Sequence, residues 1–235
     1  MSALSENLRT DFTKLARAAV CRLPNSWGLL LLALAALQPW AVHAAGPGAS
    51  TGPILVVGDS LSAEYGLKRG TGWVALLEKQ LAREKKAARV VNASISGDTT
   101  SGGRSRLPAL LAQHKPSLVV LELGGNDALR GLPLDMTEKN LTVMTQAAKK
   151  AGARVLLLGM QVPPNYGNAY SATFYGLFDK IARTEKVALV PFFLKGIADV
   201  EGAAANFQAD RIHPNEQSQI RMVANVWPEL KKIIP

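Results

Sequence analysis

The chain has 235 residues, with 27 Lys and Arg against 18 Asp and Glu, and a formal net charge of +9 at pH 7. Its one cysteine, Cys21, lies near the amino terminus, so the rest of the chain has no thiol for a disulfide framework, a thiolate zinc site or a cysteine nucleophile. The basic residues are scattered in short pairs, which argues against nucleic-acid binding and leaves at most a weak attraction to an anionic membrane surface.

The first 45 residues have the pattern of an export signal. Arg17 and Arg22 precede an apolar run of eleven residues, Trp27 to Leu37, and small residues precede a cleavage site after Ala44. The apolar run is too short to span a bilayer comfortably. We therefore expect residues 1–45 to form a signal peptide and residues 46–235 to form one domain that is exported, to the periplasm or beyond.

Downstream of Pro53, short β-rich apolar runs alternate with longer helical patterns. Alternation of this kind predicts a parallel sheet with helices on both faces, connected by right-handed crossovers. The expected fold class is thus α/β, a three-layer α/β/α sandwich. The predicted strands are 54–57, 90–93, 118–123, 155–160 and 187–190, and the predicted helices are roughly 72–86, 101–114, 137–151, 171–186 and 216–232.

The first predicted strand runs directly into Gly58-Asp59-Ser60-Leu61. In an open α/β sheet, ligands bind beyond the carboxyl ends of the strands, which is where this turn places Ser60. Taken alone, a serine in such a turn is more often a helix N-cap or a turn residue than a nucleophile. A catalytic interpretation therefore requires a base and an acid elsewhere in the chain.

Both partners occur in the longest irregular stretch, 191–215, as Asp210 and His213. A serine hydroxyl needs a base to take its proton, and a carboxylate on the other ring nitrogen orients an imidazole for that task. Asp210 precedes His213 by three residues, so it can reach Nδ1 if the segment bends. His114 ends a helical pattern, where a histidine usually complements the helix terminus. Ser60, His213 and Asp210 are the candidate nucleophile, base and orienting acid.

Two further polar clusters follow the second and third predicted strands: Ser96-Gly97-Asp98 and Gly124-Gly125-Asn126-Asp127. Acyl transfer needs hydrogen-bond donors aimed at the developing oxyanion. The N–H groups of Ser60 and Gly97 and the side-chain amide of Asn126 are candidates. Each cluster also has a plainer interpretation, as a turn glycine or as a turn followed by an N-cap.

Together the four blocks resemble the SGNH (GDSL-type) hydrolase family, in particular its bacterial periplasmic thioesterase I/lysophospholipase/arylesterase branch. The resemblance extends to 58–65, 91–99, 107–115, 122–131 and 163–167. It implies a flavodoxin-like five-stranded sandwich, a Ser60–His213–Asp210 triad and an oxyanion hole built by Ser60, Gly97 and Asn126. It also implies hydrolysis of acyl esters, acyl thioesters or lysophospholipids through an acyl-serine, with no metal and no organic cofactor.

Substrate contacts are expected on both sides of the triad. The segment 161–170 resembles the substrate-contacting loop of that branch. The size of the domain is compatible with a monomer. Glu64 departs from the branch by standing where a small residue is usual, and 196–208 is unusually rich in Gly and Ala. The residues expected to contact substrate are Asp59, Leu61, Pro163, Asn165, Tyr166 and Ile212.

Two alternatives stay open from the sequence. A carbohydrate O-acetyl esterase would use the same triad. A flavodoxin-like protein without catalytic activity would cradle a phosphate with the backbone of Ser94 to Arg104. The phosphate-binding interpretation explains the glycines, but it gives no role to the Asp210–His213 pair or to Asn126.

Overall fold

A computed structural model describes residues 52–234, so the predicted signal peptide, with Cys21 and His43, lies outside the described residues. Five strands form one parallel sheet in the order β2-β1-β3-β4-β5, which confirms the predicted fold class. The strands are β1 (Ile54–Gly58), β2 (Val90–Asn92), β3 (Leu118–Glu122), β4 (Arg154–Leu158) and β5 (Ala188–Val190).

Helices cover both faces of the sheet. On one face α1 packs against α6, and on the other α4 packs against both α2 and α5. None of the helices within 52–234 is long and apolar enough to cross a membrane. The helices are α1 (Trp73–Arg83), α2 (Thr100–His114), α3 (Gly125–Leu129), α4 (Leu134–Lys150), α5 (Asn168–Glu185) and α6 (Gln219–Ile233), with short 3-10 turns at Pro164–Tyr166 and Ala203–Asn206.

The core lies between these layers. All five residues of β1 and all five of β3 are buried, as expected for central strands of a sheet that is covered on both sides. α1 buries Trp73, Val74, Leu77 and Leu81, which share one helical face, against the sheet. This packing holds the carboxyl ends of the central strands rigid.

The strand order creates a crevice at one edge of the sheet. β1 lies between β2 and β3, so the chain leaves β1 in one direction and later returns on its other side. Ligands bind in α/β sheets at such a switch point. Ser60 follows β1, Gly97 follows β2 and Asn126 follows β3, and the topology thereby brings the three predicted site residues to one edge.

Candidate active site

Ser60, His213 and Asp210 form a continuous hydrogen-bonded chain. Ser60 Oγ lies 2.8 Å from His213 Nε2, and His213 Nδ1 lies 2.7 Å from Asp210 Oδ2. The other oxygen of Asp210 accepts hydrogen bonds from the backbone N–H groups of Ile212 (2.9 Å) and His213 (3.0 Å). The sharp turn that the sequence required is therefore present, and its backbone holds the carboxylate in place.

The electrostatics of Asp210 suit an orienting acid. Burial raises its pKa, but the hydrogen bonds from the backbone of His213 and Ile212 and from the His213 ring outweigh that effect and lower the pKa to about 2. Asp210 is consequently ionised at neutral pH. A carboxylate next to Nδ1 favours the tautomer that carries its proton there, which leaves Nε2 free to accept the proton of Ser60.

The loop that carries His213 is attached to the turn that carries Ser60. Gln208 donates from its backbone to the carbonyl of His213 (2.8 Å) and from Nε2 to the carbonyl of Tyr65 (2.9 Å). The ring of Tyr65 packs on His213 with a centroid separation of 4.3 Å. Gly66 has a positive φ of 69°, and a Cβ there would lie 2.0 Å from Gln208 Oε1. A residue with a Cβ would be strained at this φ and would displace the Gln208 side chain that joins the two segments.

The two remaining oxyanion candidates flank the end of β1. Gly97 has a φ of +77° and its carbonyl accepts a hydrogen bond of 2.9 Å from Arg130 Nη2. Asn126 lies in α3 and donates from Nδ2 to Asp59 Oδ2 at 2.9 Å. This bond uses one amide hydrogen and leaves the second for a ligand. Their role as oxyanion donors stays a prediction.

Arg106 connects the nucleophile turn to the loop after β2, a role that sequence reasoning missed. Its Nε lies 2.8 Å from Asp98 Oδ2, its Nη1 donates to the carbonyl of Ala93, and its Nη2 lies 3.4 Å from the carbonyl of Gly58. One guanidinium thus bridges the ends of β1 and β2. Such a fork needs the planar donors of arginine, and no local pattern in the sequence indicates it.

Asp59 lies beneath the site instead of at its surface, so the expected substrate contact is corrected. It is 3% exposed, and its carboxylate accepts hydrogen bonds from the backbone N–H of Leu61 (3.0 Å) and from Asn126. Burial raises the pKa of Asp59 to about 6, although these two hydrogen bonds act in the opposite direction. The side chain positions its neighbours and offers no surface to a ligand.

A second buried acid, Glu122, stands behind Asp59. It is the last residue of β3 and is 1% exposed. Its Oε2 accepts hydrogen bonds from the backbone N–H of Asp59 (3.2 Å) and from Ser62 Oγ (2.7 Å). Burial, and then the charge of Asp59, raise the pKa of Glu122 well above its usual range. Sequence reasoning assigned Glu122 no role.

The other predicted substrate contacts remain accessible to differing degrees. Leu61 is half-buried, whereas Pro163, Asn165 and Ile212 are exposed. Tyr166 donates from its hydroxyl to the carbonyl of Leu129 at 3.2 Å, so the loop after β4 rests on α3.

The carboxylate of Glu64 is bound by the backbone of its own turn. Its φ is +60°, and its carboxylate accepts hydrogen bonds from the backbone N–H groups of Gly70 (3.0 Å) and Gly72 (2.8 Å). The side chain stabilises its own turn before α1. This departure from the branch is therefore a local structural feature.

Three other features lie away from the triad. His114 closes the last turn of α2. Between residues 52 and 234, no three His, Cys, Asp or Glu side chains are placed to hold a metal ion. One concavity of about 370 Å³ lies beside Tyr175 and Lys195, and another of about 560 Å³ lies beside Thr71 and Ile220. No residue of the triad lines either of them.

The chain is similar to several known hydrolases. The chain matches the GDSL-like lipase/acylhydrolase family over residues 56–219. It is 56% identical over 181 residues to "Esterase TesA" of Pseudomonas aeruginosa, which covers 77% of this chain and 89% of that protein. It is 43% identical over 171 residues to "Thioesterase 1/protease 1/lysophospholipase L1" of Escherichia coli, with coverages of 73% and 79%. The crystal structure of the psychrotrophic esterase EstA from Pseudoalteromonas sp., inhibited by monoethylphosphonate, is similar with a TM-score of 0.72 and 39% identity, covering 77% of this chain and 97% of that one.

Proposed function

The chain belongs to the GDSL-like lipase/acylhydrolase family, and from this premise we propose that it is an exported serine hydrolase that cleaves acyl esters and acyl thioesters. The observation that carries the proposal is the hydrogen-bonded chain from Ser60 through His213 to Asp210, with distances of 2.8 and 2.7 Å. Each of these three groups has the neighbour that nucleophilic catalysis requires of it.

The reaction follows from this geometry in two halves. Ser60 Oγ attacks the acyl carbon while His213 Nε2 takes its proton, and Asp210 stabilises the resulting imidazolium. The N–H groups of Ser60 and Gly97 and the amide of Asn126 stabilise the oxyanion. The intermediate collapses to an acyl-serine, and His213 gives its proton to the departing alcohol or thiol. Water then attacks with His213 as base, releasing the acid and restoring Ser60.

Exposed apolar side chains around the triad favour substrates with an aryl group or an acyl chain. Tyr65, Ile95, Leu129 and Ile212 are exposed by 50%, 53%, 37% and 51%. Tyr65 packs on the ring of His213, and Ile212 is the residue just before His213. Leu129 lies in α3, three residues after Asn126. Ile95 lies next to the end of β1, where its N–H donates to the carbonyl of Gly58 at 3.0 Å. Exposed apolar side chains next to a polar site are suited to contact the apolar part of a ligand. We infer aryl esters, lysophospholipids and acyl thioesters as substrates, with at most weak contact to membrane surfaces.

The phosphate-binding alternative is disfavoured by hydrogen bonds at the amino-terminal end of α2. The backbone N–H of Thr100 donates to Asp127 Oδ2 at 2.8 Å, that of Thr99 to Asp98 Oδ1 at 3.0 Å, and that of Gly102 to Thr99 Oγ1 at 3.3 Å. Three backbone donors at this end of α2 are therefore satisfied within the protein, which leaves fewer of them to cradle a phosphate.

Hydrolysis of p-nitrophenyl esters from acetyl to palmitoyl, with palmitoyl-CoA alongside, tests the proposal. We expect turnover that Ser60→Ala abolishes and that Ser105→Ala, a matched change at an exposed serine of α2, leaves intact. A fluorophosphonate should label wild type and Ser105→Ala but not Ser60→Ala. Turnover confined to the acetyl ester would favour a carbohydrate O-acetyl esterase. A folded protein with no labelling and no turnover would refute a serine hydrolase.

We also propose that residues 1–45 direct export and are removed near Ala44, leaving residues 46–235 as one monomeric domain that acts on small molecules, without nucleic acid, metal or organic cofactor. Expression of the full chain in a Gram-negative host tests this. The periplasmic fraction should contain a monomer with the mass of a chain that begins after Ala44. Cytoplasmic retention of the uncleaved chain would refute export.

A further inference from the structure

Two acidic side chains lie beneath Ser60, and the proposed reaction uses neither of them. Asp59 is 3% exposed and Glu122 is 1% exposed. Within residues 52–234, neither carboxyl forms an ion pair with a lysine or arginine. Burying an unpaired charge is costly, so two buried acids without a cation require an explanation.

One oxygen of Glu122 holds the turn of the nucleophile from both sides. Oε2 accepts hydrogen bonds from the N–H of Asp59, just before Ser60, and from Ser62 Oγ, just after it. Ser62 Oγ in turn accepts a hydrogen bond of 3.1 Å from Trp73 Nε1, which directs the hydroxyl proton of Ser62 toward Glu122. A shift of Glu122 would therefore move Ser60.

The other oxygen, Oε1, is buried and accepts no hydrogen bond from any residue that the structure describes. A carboxylate would leave charge on that unsolvated atom, whereas a protonated carboxyl would not. Among the causes that raise the pKa of Glu122, burial comes first and the charge of Asp59 second, with a side-chain hydrogen bond to Asp59 also contributing. Glu122 Oε2 already accepts the N–H of Asp59 at 3.2 Å, so Asp59 is the neighbouring carboxylate that can accept a proton from Glu122.

We propose that Glu122 and Asp59 share one proton, and that this proton makes Glu122 a positioning residue for the hydrolytic reaction. It joins the two carboxyls, so that Glu122 holds the turn of Ser60 while Asp59 stays directed at Asn126, 2.9 Å away. The kinetic part of this inference rests on the proposed function. The structural part, a protonated carboxyl beneath Ser60, does not.

Other charged groups around the pair set the pH at which it takes a second proton. The charge of His213 lowers the pKa of Asp59 and that of Asp98 raises it, while Arg106 is bonded to Asp98 and to the carbonyl of Gly58. Burial dominates, and the pKa of Asp59 is about 6. As the pH falls through this value, Asp59 loses its charge-assisted bond to Asn126, and the amide is held less firmly.

Infrared spectroscopy tests the shared proton directly. Wild type at neutral pH should show the carbonyl band of a protonated carboxyl, and Glu122→Gln should remove it, because glutamine replaces that proton with an amide hydrogen aimed at Asp59. Thr145→Val is a matched control, since Thr145 is also buried with an unpartnered hydroxyl. A wild-type spectrum without a band that depends on Glu122 would overturn the proposal.

Kinetics test the positioning role. Glu122→Gln should keep kcat within about fivefold of wild type, because the amide preserves both hydrogen-bond functions. Glu122→Ala should lower kcat by roughly ten- to a hundredfold with KM nearly unchanged, since displaced oxyanion donors act on the transition state. The acid limb of the pH profile should stay at the wild-type pH in Glu122→Gln, because the amide replaces a carboxyl that is already neutral.

Two results would overturn the inference: wild-type kcat in Glu122→Ala, or an acid limb that moves to lower pH in Glu122→Gln, which would show that Glu122 is charged in wild type. If Glu122→Ala does not fold, the glutamine variant and the infrared band still decide. The infrared measurement needs no turnover, so an inactive protein that retains the band would contradict the proposed function and leave the shared proton standing.

Discussion

Replacing Asp59 by asparagine should change stability in a way that depends on pH, and the size follows from the buried carboxyl. Burial raises its pKa from 3.8 to about 6 in the folded protein. A shift of roughly 2 units corresponds to about 3 kcal/mol. Because the folded state binds the proton more tightly than the unfolded state, wild-type stability is unaffected well below pH 3.8 and falls as the pH rises from there to 6. Above pH 6 wild type has the full cost of burying the charged Asp59 carboxylate, whereas Asp59→Asn buries a neutral amide and avoids that cost.

Urea unfolding from pH 4 to 7, followed by the fluorescence of buried Trp73, measures this effect. The hydrogen bonds that the asparagine side chain fails to reproduce cost about 1 kcal/mol at every pH, so they cancel when the two ends of the range are compared. Relative to wild type, Asp59→Asn should therefore gain about 2 kcal/mol between pH 4 and pH 7, since part of the effect is already present at pH 4. The exposed change Asp135→Asn should show no such gain. An equal stability difference at pH 4 and pH 7 would refute the reasoning.

Three further changes test the site. Asn126→Ala should lower kcat by about two to three orders of magnitude while fluorophosphonate still labels Ser60, and a rate within a few-fold of wild type would contradict its oxyanion role. His213→Ala should nearly abolish ester hydrolysis, whereas His114→Ala, at the end of α2, should leave it unchanged. The opposite pattern would disprove the triad. Arg106→Gln should reduce kcat by about tenfold, because the loop after β2 loses its connection to β1, and wild-type kinetics would show that this connection is dispensable.

The sheet could be predicted from the sequence because central parallel strands are continuous apolar runs. The prediction for β1 ended one residue short, and that for β3 ran one residue too far. The helix α3 was missed because its five residues, Gly125–Leu129, have no apolar period. Its position depends on distant hydrogen bonds instead: Asp127 accepts from the N–H of Thr100 and from the hydroxyl of Thr137. Contacts of this kind leave no local pattern.

The residues of the site fall into the same two groups, those that a local pattern reveals and those that distant contacts position. Ser60, Gly97 and Asn126 each follow a strand that the apolar pattern reveals, so parallel topology alone predicts that they meet at one edge. The environment of Glu122 cannot be predicted in that manner. Its partners Asp59 and Ser62 lie 63 and 60 residues away in the chain, and an acid that ends a strand is ordinarily expected at the surface.

The pKa values of two aspartates near Ser60 are shifted in opposite directions, and this difference matches the positions of the two side chains. Asp210 has a pKa of about 2 and lies against His213, where a permanent negative charge stabilises the imidazolium. Asp59 has a pKa of about 6 and lies behind Asn126, on the side of the oxyanion. Two full charges on Asp59 and Glu122 would oppose the oxyanion that Asn126 is proposed to stabilise. A single shared proton limits the pair to one charge, which is enough to hold the amide, so the stability lost at neutral pH is a consequence of keeping that donor in place.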